Sequence, residues 1–113
     1  MDATWEQTRG VWVLKLSGRL DISRSDTLET AVRNRLKENM QPLVINLARV
    51  TYISSSGVGA LLGIYRFMGE HRKQLVLCEI SPAVQKLLDV VELGQLFKSA
   101  LREPEAIQLA LQD

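Results

Sequence analysis

The chain has 113 residues, 46% of them hydrophobic and 24% charged, with 14 basic side chains against 13 acidic and a net charge of +1. That length suits one compact domain whose core needs no disulfide or metal staple. So even a balance of charge argues against the basic face that nucleic acid demands, and equally against a polybasic membrane anchor or an acidic tail.

The first stretch, MDATWEQTRG, is polar and lacks the apolar core of a secretory signal. Residues 5–7 are expected to pair, as an edge strand, with the β-branched run VWVLKLSG across a hairpin-like TRG. In SDTLETAVRNRLKEN, the residues Leu28, Ala31, Val32, Arg35 and Leu36 recur at helical spacing. Ser25 reads as the cap of this helix, with Asp26 and Glu29 in a first turn where the dipole favours acids. Asn39 and Pro42 end it. LVINL is a short strand, and TYISSS reads as a break after it. A second helix then runs from Gly57, with Val58, Leu61, Leu62, Tyr65 and Met68 on one face. KQLVLCEI is the next strand. Ser81 and Pro82 open a third helix that buries Val84, Leu87, Leu88 and Val91 and stops at Gly94. QLFKS is a last strand, and EPEAIQLALQD a last helix carrying Ile107, Leu109 and Ala110.

The order β-β-α-β-α-β-α-β-α implies right-handed crossovers and an α/β fold. Its sheet would be mixed but mostly parallel, with about five strands and about four helices. Residues 1–113 read as a single domain, without internal repeat or linker.

Equipment for catalysis is sparse. His71 is the only histidine and lies near a helix end, where capping or solvation is its expected role. Nothing orients it toward a serine, as a triad requires. GVGALLG departs from the dinucleotide fingerprint because Leu62 stands where the third glycine belongs, and no P-loop lysine follows. Cys78, the only cysteine, lies in an apolar run and reads as a buried thiol in a reducing compartment. Trp5 and Trp12 read as packing residues, since no basic stripe accompanies them. No enzyme activity, metal or cofactor is expected. No apolar run approaches the ~20 residues that span a bilayer, so no membrane partner is expected; the balance of charge argues against a nucleic-acid partner, and the location is expected to be cytoplasmic.

The junction Ser54-Ser55-Ser56 separates the β-rich run from the second helix. One serine suffices to cap that helix. The helix holds Gly57, Gly59, Gly63 and Gly69, and each interior glycine costs up to ~1 kcal/mol against alanine. That expense points to close approach, to the sheet or to a partner's backbone. A phosphate at the junction would sit at a helix N-terminus, where orphan amides and the dipole tolerate it. It would add a charge of about −2 to an exposed surface and repel a docked partner.

Three stretches carry a resemblance. VINLARVTYISSSGVGALLGIYR resembles the signature of STAS-domain anti-sigma factor antagonists, an apolar strand followed by Asp-Ser-Ser-Gly and a helix. LSGRLDISRSDTLETAV is similar to the family's segment leading into the first helix, and LCEISPAVQKLLDVVELGQLFK to its later strand, Ser-Pro helix and Phe ending. Together they span about residues 5–110. The resemblance implies partner switching. The unmodified antagonist binds an anti-sigma factor that is also a serine kinase and so frees that factor's client. The kinase uses ATP to phosphorylate the antagonist, which ends the contact, and a serine phosphatase reverses this. The free antagonist is expected as a monomer or weak dimer.

Aligned on Gly57, the family's phosphorylated serine is Ser55, with Ser54 and Ser56 as alternatives. Ser56 matches the second serine, and Ser54 stands where the family has aspartate. Asn46 stands where an aspartate is common, and Asp21 matches the family's acidic residue. The resemblance thus implies a docking surface of Asp21, Ser23, Ser54, Ser56, Gly57, Val58 and Gly59. Gly57 and Val58 would allow close apolar contact there, with Asp21 and Ser23 as a polar rim. Two alternatives keep the fold: a non-phosphorylated STAS interaction module, for example of a lipid-transport assembly, and a small-nucleotide binder.

Overall fold

The computed structural model describes residues 2–112, so Met1 and Asp113 of the two terminal stretches lie outside it. Nine elements follow one another: β1 (Asp2–Thr8), β2 (Val11–Leu20), α1 (Ile22–Glu38), β3 (Leu43–Ile53), α2 (Ser55–Glu70), β4 (Leu75–Cys78), α3 (Pro82–Val90), β5 (Lys98–Ala100) and α4 (Glu103–Ala110). They form one five-stranded sheet in the order β1-β2-β3-β4-β5. Only β1 runs antiparallel to its neighbour. The expected class, element order and edge hairpin are all present.

The hairpin turns on Arg9 and Gly10, both at positive φ (53° and 77°). That is the primed turn whose twist suits two antiparallel strands. Trp5 and Trp12 then meet edge to face at 5.8 Å, and Arg35 lies over both rings at 5.0 and 5.4 Å. The Trp12 indole donates to the Asn39 carbonyl at 3.0 Å. These tryptophans therefore fasten the hairpin to the end of α1.

Each face of the sheet has its own core. Leu14, Leu16, Leu20, Ile45, Leu47 and Leu77 pack against α1, α2 and α3. Val11, Val13, Val44, Val76 and Cys78 lie under Ala106 and Ala110 of α4. With helices on both sides, all four residues of β4 are buried, as an interior parallel strand requires. The two edges differ from it. In β1 only Trp5 is partly covered, and β5 is three residues long.

Several boundaries differ from expectation. The first helix is capped by Asp21 rather than Ser25. Ser25 is buried in the first turn and donates its hydroxyl to the Asp21 carbonyl at 2.8 Å. Asp26 and Glu29 consequently fall beyond the first turn, and Ala31 and Arg35 face outward. β3 does not stop before TYISSS but continues to Ile53. Two register shifts against β2 insert extra residues on β3, so Leu47, Val50 and Ile53 reach the same core at spacings of three. Such bulges bend a strand and break its alternation. The second helix starts at Ser55, with Leu62 only half-buried and Tyr65 mostly outward, edge to face with Phe97. Ser81 does precede the third helix, but its hydroxyl donates to the Val50 carbonyl at 2.7 Å instead of capping. That helix ends at Val90, and the reversal falls on Glu92 (φ 60°) rather than on Gly94. Val91 is exposed, and Leu87 is half-buried. In the last helix the buried contacts come from Ala106 and Ala110, with Ile107 and Leu109 half-covered.

The glycines of α2 divide in two. A Cβ on Gly57 would meet the Leu20 carbonyl oxygen at 2.7 Å and Ile53 Cγ1 at 2.8 Å. A Cβ on Gly63 would meet the carboxylate of Glu29 on α1, while Gly59 and Gly69 have nothing within 4 Å. Gly57 thus faces immovable backbone, and Gly63 faces the flexible end of a long side chain, which Arg33 pairs with at 3.2 Å. Gly57→Ala should lower stability by about 1–3 kcal/mol, the range for forcing extra volume into a packed site. Gly63→Ala should stay within about 1 kcal/mol of the parent, because Glu29 can swing aside and alanine favours the helix. Urea denaturation of both variants measures the difference, and equal midpoints would refute it.

Candidate functional site

The parallel pairing of β2 with β3 brings Leu20 beside Ile53. Both strands end there, and the Ser54 amide donates to the Leu20 carbonyl at 3.0 Å. Each strand then leads directly into a helix, α1 capped by Asp21 and α2 by Ser54. Two helix N-termini therefore open side by side at the carboxyl end of the sheet. That is where α/β folds place their sites, and where orphan amides and helix dipoles favour negative charge.

The two caps differ in chemistry. Ser54 Oγ accepts from the Gly57 amide at 3.2 Å. Asp21 Oδ1 accepts from the Ser23 hydroxyl at 2.7 Å and from the Ser23 amide at 3.2 Å. The Ser23 hydroxyl holds the Asp21 carboxyl below the usual aspartate range, and Arg19 and Arg24 add to the effect. The Arg19 guanidinium sits 3.8 Å from Asp21 and 4.1 Å from the centre of the Tyr52 ring. The one carboxylate at the turn is thus matched by two cations.

Around the turn, Ser55 and Ser23 are exposed, while Ser54, Ser56 and Asp21 are half-buried. Gly59 is exposed with open space around it. Gly57 and Val58 correct an expectation: both are buried, Val58 at 4% exposure within the core that α2 shares with the sheet, so neither offers apolar contact to a partner. The apolar group that the sequence reading passed over is Ile22, 77% exposed beside Asp21. An isoleucine at the first position of a helix, between two polar neighbours, was its only signal.

Asn46 lies elsewhere. It is buried on the α4 side of the sheet, donating to Glu103 Oε1 at 3.0 Å and accepting from the Ala48 amide at 2.9 Å. Glu79 accepts from the Glu103 amide at 3.1 Å, so this cluster anchors α4 and does not serve the serine turn. Cys78, Glu79 and Glu103 bring their ligand atoms within 4.8 Å of one another. Both carboxylates already accept hydrogen bonds within the protein, and burial pushes the Cys78 thiol up to about 12. A thiol so held is neither nucleophile nor ready ligand. His71 caps α2, with Nδ1 2.9 Å from the Phe67 carbonyl, as its place near a helix end suggested. No described helix is long and apolar enough to cross a membrane.

Comparison with known proteins identifies the family and the fold. The STAS domain model matches residues 2–106. The chain is similar to the anti-sigma F factor antagonist of Paenibacillus polymyxa, 33% identical over 89 residues, or 75% of this chain and 74% of that protein. It is similar to the anti-sigma-B factor antagonist of Staphylococcus epidermidis, 28% identical over 83 residues, or 74% and 77% of the two chains. Among solved structures, unphosphorylated SpoIIAA matches with a TM-score of 0.81 at 27% identity, over 96% of this chain and 95% of that one. Bacillus SpoIIAA in its phosphorylated form matches with a TM-score of 0.73 at 26% identity, over 96% and 98%. The chain therefore belongs to the STAS domain family, among the anti-sigma factor antagonists, which are non-catalytic regulatory modules.

Proposed function

We propose that this protein is the antagonist of a partner switch, binding an anti-sigma serine kinase when unmodified and releasing it once Ser55 carries a phosphate. One observation carries the reading. Of the three serines, Ser55 alone is exposed, and it is the first residue of α2. The Ser54 hydroxyl is engaged with Gly57, and Ser56 is half-buried. The match to SpoIIAA, a relative solved in unphosphorylated and phosphorylated forms, supports regulation by phosphorylation.

Kinase docking is assigned to the turn around Ser55, the open side of Gly59, and the loop holding Asp21, Ile22 and Ser23. Ile22 takes the apolar role first expected of Gly57 and Val58. A phosphate on Ser55 would meet the free amides of the first turn and the positive end of α2, so the fold survives it. Its charge of about −2 would instead fall on the docking surface, where it repels an acidic partner and blocks an apolar one. A serine phosphatase would restore the neutral surface. Ser54 fills the capping role that aspartate has in the family pattern, without its charge.

Incubating the full chain with the cognate kinase and ATP, followed by peptide mass spectrometry, should find the phosphate on Ser55. Ser55→Ala should abolish it, and full modification of that variant would refute the assignment. Ser55→Asp should weaken kinase binding while leaving the melting temperature near that of the parent. A parallel fall in both would mean a folding defect instead. Ser54→Ala should lower stability by about 1 kcal/mol, the usual value of a lost cap, yet still be phosphorylated on Ser55. Loss of the modification with stability intact would make Ser54 the acceptor.

A further inference from the structure

At the other end of α2 a groove of about 300 Å³ opens between the last turns of that helix and the amino ends of β4 and β5. It lies at the opposite pole of α2 from the serine turn. Arg66, Lys73 and Lys98 line it, and among the described residues no carboxylate does. None of these three cations takes part in an ion pair among the described residues, so each is available to an outside carboxylate. Tyr65 and Leu96 also line it, 37% and 40% exposed. The chain as a whole is nearly neutral, so three unopposed cations around an apolar floor are a local concentration of charge.

Gly69 lines the same groove. Its position in the last turns of α2 would be better served by alanine, and a Cβ there would meet nothing within 4 Å. Packing inside the domain explains Gly57 and Gly63 but gives no reason for Gly69. A glycine facing open space leaves room for another backbone to come close.

We propose that this groove is a second docking surface, for an acidic segment of a partner protein that carries an apolar anchor. Carboxylates of the segment would pair with Arg66, Lys73 and Lys98. Its apolar side chain would cover Tyr65 and Leu96, and its main chain would pass over Gly69. The pairs are exposed, so each contributes only a few-fold to affinity and the whole weakens with salt. The proposal does not depend on the role of Ser55.

The test uses the full chain and an acetylated peptide of sequence Glu-Glu-Leu-Glu-Glu-Leu-Glu, followed by amide NMR. Shifts should centre on Gly69, Lys73, Leu96 and Lys98. Reversing two groove charges together, Lys73→Glu with Lys98→Glu, should weaken binding about tenfold or more. Lys37→Glu with Lys86→Glu makes the same change in net charge outside the groove and should cost under about threefold. Gly69→Ala should weaken binding about threefold while the urea midpoint rises or holds. Equal losses from the two double variants would overturn the proposal in favour of bulk charge. Identical shifts with inorganic phosphate would make the groove a site for free anions, and concentration-dependent dimerisation that shifts the same amides would assign it to a second copy.

Discussion

The hydrogen bond from the Ser54 amide to the Leu20 carbonyl is the constraint on which the rest of the site depends. It closes the pairing of β2 with β3 at the point where both strands stop. Because both helices start within two residues of it, the two N-termini have one possible arrangement, side by side. The same carbonyl is the atom against which Gly57 is pressed. A side chain at position 57 would push α2 away from the sheet and separate the caps. The glycine after the serines therefore belongs to the scaffold.

Much of this was legible in the sequence, and the failures have physical causes. Segment order and the parallel sheet followed from apolar runs alternating with helical spacing. The end of β3 did not, because two bulges replace a period of two with a period of three, and a spacing of three reads as helix or loop. The start of α1 was misplaced because Asp21, Ser23 and Ser25 can all cap. The choice among them is made by where β2 stops, which is a tertiary fact. The glycine count of α2 implies close approach at all four positions, yet within the domain only Gly57 and Gly63 show it, one against a carbonyl and the other against a carboxylate, a distinction that depends on tertiary packing.

The site was legible in part, on similar terms. The serine run and Asp21 stand out as polar residues at a strand-helix boundary. Which of them is exposed depends on how α2 lies on the sheet: Val58 shares the buried face with Leu61, and Gly57 is pressed on the Leu20 carbonyl. Ile22 carries only a weak signal, one apolar residue between Asp21 and Ser23. Asn46 could be placed on β3 from its neighbours, but its contact with Glu103 joins residues far apart in the chain and has no local signature.

The two edges of the sheet bear on how such a protein is used. An antagonist acts by occupancy, so its copies must match those of the partner it holds, a demand that enzymes escape through turnover. Open strand edges are hazardous at high copy number, since they template pairing between chains. Here one edge is only three residues long, and the other carries Asp2 and Glu6, the latter 2.7 Å from Lys15. A three-residue margin on one side and charged side chains on the other leave little template for edge-to-edge pairing between copies.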